Sequence, residues 1–336
     1  MKMKNPKISV IVPIYGVEKF IRRCAESLLS QTLEGVEYIF VNDATKDNSI
    51  KVLHEVIETY KNRSLDIKII NHPINKGLPA ARNTGLRVAT GEYIYHCDSD
   101  DFLESNALEL YYNAAITKNA DLVWSDYYIS YGSREIYKKQ PDCSSISDVL
   151  DATLSGKMKY NVWNKLVRRT VYVQNEILFP EGYSMGEDMT MIKLMSGIGD
   201  VAYVNEALYH YVQLNSSSMM QNCFSDNHIR ALKHNCEDVV AYLKKKYTDD
   251  YNVSIYSFAL LIKWPFLTTS DRSLYEVWSS WIPEANEYIW KDAGVSKRIK
   301  FVEWLASKKM FTLVQLHYWV VIRFYYSIRY RNRNRK

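Results

Sequence analysis

The sequence predicts an α/β protein, with a parallel sheet wrapped by helices in its first half and a helical region behind it. Three observations carry this. Short β-branched runs alternate with amphipathic helical stretches through the first hundred residues, the pattern of strands joined by right-handed crossovers. Polar residues gather just after those apolar runs, where parallel sheets bind ligands. From residue 225 onward the chain reads helical, most clearly in "HIRALKHNCEDVVAYLKKKY".

The elements follow in order. Residues 7–14, "KISVIVPI", are the near-continuous β-branched run that a strand covered on both faces requires. Positions 17–30 put Val17, Phe20, Ile21, Cys24 and Leu28 on one helical face. "EYIFV" (37–41) is the second strand. "DNSIKVLHEVIETYKN" is the second helix, with Ile50, Leu53, Ile57 and Tyr60 in register and Asp47 as its cap. "DIKII" (66–70), a helix from about Pro79 to Arg87 and "EYIYHC" (92–97) complete the series. Tyr15, Asn42, Asp43, the loop "NHPINKG", Asp98 and Asp100 then converge on one edge.

A chain of 336 residues is long for a single core and predicts two regions, 1–220 and 221–336. Five cysteines, odd in number and without a CxxC, indicate neither a disulfide framework nor a zinc site, and suit a reducing, cytoplasmic compartment. The net charge of +5 sits in the last eight residues, "RYRNRNRK"; without their five basic side chains 38 bases face 38 acids. That neutral body gives no support to nucleic-acid binding. The opening "MKMKNPKISVIVPIYGV" resembles a leader, but its apolar part is β-branched and carries Pro13, so it reads as the first strand. No run of 18 apolar residues occurs, so no spanning helix is predicted.

The stretch "YIYHCDSDDFL" (93–103) carries an apolar strand into Asp98, Asp100 and Asp101. Taken alone, it is either an acidic turn facing water or a set of hard oxygen ligands for a divalent cation. A dinucleotide site would need a glycine-rich turn after the first strand, and "PIYGVEKF" has one glycine. A P-loop is absent too. Lys76 before the third helix and Arg82 in its first turn are candidates for an anionic ligand there.

Four segments, "ISVIVPIYGVEKFIRRCAESLLSQT", "YIFVNDATKDNS", "NKGLPAARNTGL" and "ATGEYIYHCDSDDFLE", resemble the successive motifs of family 2 glycosyltransferases. The resemblance is dense over residues 7–125, the donor-binding half, and sparser over 126–220, the acceptor segment. It implies a GT-A fold, a nucleotide-sugar donor, UDP-linked above all, and Mn²⁺ or Mg²⁺ held by a DxD motif. By it, Pro13 and Tyr15 line the nucleotide pocket, Asp43 meets the base, Asp98 faces ribose or metal, and Asp100 ligates the metal.

"YNVWNKLVRRTVY" (160–172) and "FPEGYSMGEDMTMIKLM" (179–195) resemble the same family's acceptor side. There an acidic pair opens a helix, and its Asp is the catalytic base; here the pair is Glu187-Asp188, with Met191, Leu194, Met195 and Ile198 as the apolar stripe. Without the resemblance the pair is a helix cap. The implied reaction is an inverting transfer of a hexosyl or N-acetylhexosaminyl group to a hydroxyl of a glycan or lipid-linked saccharide. Two alternatives stand beside it: a nucleotidyltransferase making nucleotide sugars, and an inactive module binding nucleotide sugar or glycan. His210, in "YHYVQLNSSSM", reads as packed among tyrosines. Trp264, Trp278, Trp281, Trp290 and Trp304 read as core. The segment 311–336, "FTLVQLHYWVVIRFYYSIRYRNRNRK", has the aromatic and basic composition of an interfacial helix on an anionic membrane surface, and so implies a peripheral location on the inner face of the cell membrane.

Overall fold

A computed structural model describes residues 6–214 and 224–325. The chain divides into two compact units, the first holding Met1–Thr153 and Met158–Asn235, the second Leu154–Lys157 and Cys236–Lys336.

The first unit opens with β1 (Ile8–Ile14), α1 (Ile21–Leu29), β2 (Val36–Asn42), α2 (Ser49–Thr59), β3 (Asp66–Asn71), α3 (Leu78–Val88) and β4 (Tyr93–His96). The four strands lie in the order β3-β2-β1-β4, all parallel. β1 is buried from end to end, because alternate residues face opposite layers. Val10, Val12 and Ile14 pack with Cys24 and Leu28 of α1 and Leu53 of α2. Ile11, beside Ile39 and Ile94, packs with Ala81 of α3 on the other side. There α3 comes so close that a Cβ on Gly85 would lie 2.4 Å from Ile11 Cγ2. Asp47 lies one residue before the Asn48 cap position, but its Oδ1 still accepts from Ser49 N at 3.1 Å.

Beyond β4 come β5 (Phe102–Leu103), α4 (Ala107–Thr117), β6 (Leu122–Ser130), β7 (Glu135–Lys138), α5 (Ile146–Leu154), β8 (Lys165–Arg168), α6 (Arg169–Gln174), a 3-10 turn (Glu187–Met189), α7 (Thr190–Met195) and β9 (Val201–Val212). The sheet continues β8-β6-β9-β5, with β7 on β6. β8 runs antiparallel to both β4 and β6, whereas β6 and β9 are parallel. This mixed half extends the parallel one. His210 in β9 is buried as its tyrosine-rich setting predicts: it stacks on Phe102 at 4.1 Å, and its ring nitrogens meet Glu135 at 2.8 Å and Glu104 at 2.9 Å.

The last part of α8 (Asp226–Lys246) belongs to the second unit, followed by α9 (Asn252–Lys263), α10 (Arg272–Ser280), α11 (Lys297–Ser307) and α12 (Phe311–His317). Of the five tryptophans read as core, Trp278 and Trp281 are buried. Trp264 and Trp304 are half-buried. Trp290 is exposed and corrects that reading: it lies in the turn between the 3-10 helix Pro283–Tyr288 and α11, where its ring is left uncovered. A wider-wound helix, Tyr318–Tyr325, continues from α12. Residues 326–336 of the expected interfacial segment lie outside the described residues. Among the described residues no helix is long and apolar enough to cross a membrane.

Candidate active site

The carboxyl ends of the parallel strands form the floor of the site. Pro13 is buried within β1, opposite Val41 of β2. Tyr15, just beyond β1, is 53% exposed. Its loop is tied to the loop after β2: Gly16 N donates to Thr45 Oγ1 at 2.9 Å and Glu18 N to Asp47 Oδ2 at 2.9 Å. Asp43 is buried, and both of its oxygens are occupied. Oδ1 meets His72 Nδ1 at 2.7 Å and Lys76 N at 2.8 Å, and Oδ2 accepts from Gly77 N at 2.8 Å. His72 Nε2 meets Thr84 Oγ1 at 2.9 Å, joining this nest to α3. The backbone of Lys76 therefore belongs to the Asp43 nest, while its side chain is exposed.

The three acids beyond β4 separate into two roles. Asp101 is buried, and its carboxylate is spent on the fold, accepting from Val212 N and Tyr209 OH, each at 2.7 Å. Asp98 and Asp100 remain partly exposed. Asp98 Oδ1 accepts from Arg82 Nη2 at 2.9 Å. Because α3 begins at Leu78, Arg82 stands one turn inside the helix rather than at its anion-facing start, and its guanidinium is 1% exposed. It lies 3.9 Å from Asp188 Oδ1. One buried cation thus joins an acid from the end of β4 to an acid from the segment before α7.

The chain carries Asp188 there by a series of tethers. Asn83 of α3 donates to Phe179 O and accepts from Phe179 N, both at 2.9 Å, which fastens the "FPEG" segment. Asn235 donates to the carbonyls of Tyr183 and Met185 at 3.0 and 2.7 Å. Gly186, at φ +79°, takes a left-handed turn into Glu187–Met189. Burial raises the Asp188 carboxyl to about 6, more than Arg82 lowers it. Its Oδ1 is buried without a hydrogen-bond partner. Such an acid is ionised at neutral pH yet basic enough to accept a proton. Glu187 is buried beside it, and burial and the Asp188 charge hold it well above the usual carboxylate range.

The sequence reading missed several residues. Lys165, at the start of β8, is buried, and burial brings it down to about 7. The quoted "WNKL" contained it, but nothing in the sequence says where its ammonium points. His72 and Asn83 likewise carry no local signal, since their partners lie in other segments. His96 is buried in β4 with neither ring nitrogen hydrogen-bonded, beside Arg82.

Asp98 and Asp100 fit a divalent cation. They supply hard oxygens at a partly open edge, and among the described residues no group of three His, Cys, Asp or Glu forms an all-protein cage. Mg²⁺-type sites use one or two carboxylates and complete the shell with substrate phosphates and water. Two strand spacings, about 10 Å, separate the ends of β2 and β4, which carry Asp43 and Asp98.

Residues 9–174 match the family Glycosyl transferase family 2. The chain is 33% identical over 215 residues to the uncharacterized glycosyltransferase EpsJ of Bacillus subtilis, covering 61% of each chain. It spans about three fifths of the length of such curated relatives. Among solved structures, residues 1–349 of TarS from S. aureus match with a TM-score of 0.70 at 17% identity, over 93% of this chain and 91% of that one. The same fragment is also known in complex with UDP-GlcNAc. The mannosyltransferase PcManGT from Pyrobaculum calidifontis, in complex with GDP-Man and Mn²⁺, matches at 0.55 and 15% identity, over 95% and 88%. The curled mixed sheet is the GT-A fold, and residues 9–174 of the chain belong to glycosyl transferase family 2.

Proposed function

We propose that the protein is a metal-dependent, inverting glycosyltransferase that moves a hexosyl or N-acetylhexosaminyl group from a nucleotide diphosphate, UDP by preference, to a hydroxyl of a glycan or lipid-linked saccharide. The carrying observation is the buried guanidinium of Arg82 between Asp98 and Asp188, which sets a donor-side acid and an acceptor-side acid on one centre. Pro13, Tyr15 and the Asp43 nest form the nucleotide end, with the exposed Lys76 side chain at its rim. Asp98 and Asp100 would hold Mn²⁺ or Mg²⁺. When bound, the ion would neutralise charge on the departing diphosphate. Asp188 takes the proton of the acceptor hydroxyl as that oxygen attacks the anomeric carbon, and the diphosphate leaves from the opposite face. Arg82, too buried to meet the ligand directly, orients the two acids. Complexes of TarS with UDP-GlcNAc and of PcManGT with GDP-Man and Mn²⁺ support this donor class.

Screening nucleotide sugars for Mn²⁺-dependent thermal stabilisation tests the reading, because a ligand bound only by the folded state raises the melting temperature. One UDP-sugar should stabilise the wild type only with metal, and Asp100→Ala should lose that shift while keeping its own fold. A Mn²⁺-dependent shift in the variant as large as in the wild type would move the metal elsewhere.

The location proposed is the cytoplasmic face of an anionic membrane, reached through residues 311–336. Leu313, Leu316, Trp319 and Val320 are between 42% and 57% exposed. After Glu303 the sequence holds Lys308, Lys309, Arg323, Arg329, Arg331, Arg333, Arg335 and Lys336 and no acid. Each basic residue near an anionic surface contributes about 1 kcal/mol. The chain should pellet with phosphatidylserine vesicles and be released by salt. A truncation at residue 308 that pellets equally well would exclude this segment as the anchor.

A further inference from the structure

Asp98 and Asp100, the acids left partly exposed beyond β4, stand on one tight turn, which Asp101 N closes by donating to Asp98 O at 3.1 Å. A single hydroxyl from a distant strand clamps both ends of that turn. Tyr209 OH accepts from Asp98 N at 3.2 Å and donates to Asp101 Oδ2 at 2.7 Å. The carbonyl of Asp98 is held as well, by the thiols of Cys97 at 3.5 Å and Cys24 at 3.7 Å.

Tyr209 is fixed on every side. It pairs with Leu103 across the β5–β9 ladder, and its ring stacks on Trp163 with centroids 4.5 Å apart. It is 0% exposed, so any effect it has on a ligand passes through the turn. The other oxygen of Asp101 accepts from Val212 N at 2.7 Å. A carboxylate only accepts, so the tyrosine proton must point at Asp101, and the lone pairs of the hydroxyl are left for Asp98 N–H. A phenylalanine would fill the same volume and stack on Trp163 alike. It would take away the acceptor for Asp98 N–H and a donor to Asp101.

We propose that Tyr209 is a positioning residue for the metal: by clamping the Asp98–Asp101 turn at both ends, its hydroxyl sets where the Asp98 and Asp100 carboxylates stand and so how tightly they hold Mn²⁺ together with a nucleoside diphosphate. The proposal rests on the reading of those two acids as the metal-holding pair. Removing partners that orient metal ligands changes metal affinity by about 10–100-fold. A tyrosine that served the fold alone would, once removed, lower the melting temperature and leave Mn²⁺ affinity in place.

The test titrates Mn²⁺ calorimetrically into the full-chain wild type, Tyr209→Phe, Tyr93→Phe and Asp100→Ala at one fixed UDP concentration. The heat with UDP alone is subtracted, and melting temperatures are taken on the same samples. Tyr93 is the matched control: it is buried at the other end of β4, and its hydroxyl donates to Ala120 O at 3.0 Å. Tyr209→Phe should raise the Kd for Mn²⁺ by about 10–100-fold, whereas Tyr93→Phe should lower only the melting temperature. If Tyr209→Phe does not fold, the double variant Tyr209→Phe/Asp101→Asn carries the same expectation, because it removes the buried charge along with its donor. An unchanged Kd in the folded variant overturns the positioning role, and so does an equal rise in Tyr93→Phe. If Asp100→Ala loses Mn²⁺ while Tyr209→Phe keeps it, only this proposal falls. If Asp100→Ala binds Mn²⁺ as the wild type does, the metal reading falls and takes the proposal with it.

Discussion

Asp43 and Asp188 are both acids at the edge of the same sheet, yet their surroundings are opposite. Asp43 has three partners within 2.8 Å and no oxygen to spare. Asp188 has a buried oxygen without a hydrogen bond and a carboxyl raised to about 6. A saturated carboxylate fixes a loop. One that is desolvated and incompletely paired keeps the capacity to take a proton, a state that costs stability and is typical of functional sites. The contrast separates an acid that fixes a loop from the acid proposed to do the chemistry.

The largest expected effect lies on the Asp188 side. Asp188→Asn should leave donor affinity in place and lower transfer by about 10²–10⁴-fold, the usual contribution of a general base. In the wild type, transfer should fall as pH drops through about 6, since protonated Asp188 can no longer accept. Near-normal turnover of Asp188→Asn would erase the contrast, and Glu187 would be the next candidate.

The Asp43 side should answer in stability first. Asp43→Ala strips partners from His72, Lys76 N and Gly77 N, and leaving buried groups unmet costs about 1–3 kcal/mol each. A loss of about 3 kcal/mol in urea unfolding is expected. A loss confined to nucleotide affinity would mean that the nest survives without its acid.

A smaller effect tests the element both sides share, since α3 carries Arg82 toward Asp188 and Thr84 toward His72. Gly85→Ala drives a methyl to 2.4 Å from Ile11 Cγ2. Overpacking of this kind costs about 2 kcal/mol. Unchanged unfolding would show that α3 can back away from β1 freely.

The smallest effect comes from a control outside the site. Glu303, in the second unit, is buried and raised to about 8, chiefly by burial. Its folded state holds the proton more tightly than the unfolded chain, whose value is 4.5. The stability it contributes is full below 4.5 and fades as pH rises toward 8. Glu303→Gln should flatten that decline without altering transfer. A loss of activity instead would extend the chemistry into the second unit.

Much of this is legible in the sequence. β-branched runs and their spacing placed β1 to β4 within a residue or two, because a strand buried on both faces must be apolar along its length. α1 was less exact: the helix starts at Ile21, and Val17 is buried in the turn before it. Arg82 was placed in the helix but not turned correctly, because exposure depends on what packs against that face. Trp290 failed for the same reason. Local pattern does not say where a second layer ends.

By itself the sequence determined the order of strands and helices, the acidic segment after β4 and the acid pair before α7, since periodicity, turn residues and motif spacing are local. Tertiary structure alone decided which acid is spent and which is available. Asp101 meets Tyr209 and Val212, Asp43 meets His72, and Asp188 lies beside Arg82. Each of those partners comes from a distant stretch of chain. Burial and hydrogen-bond satisfaction set a carboxylate's chemistry, and both arise only when the segments are packed together.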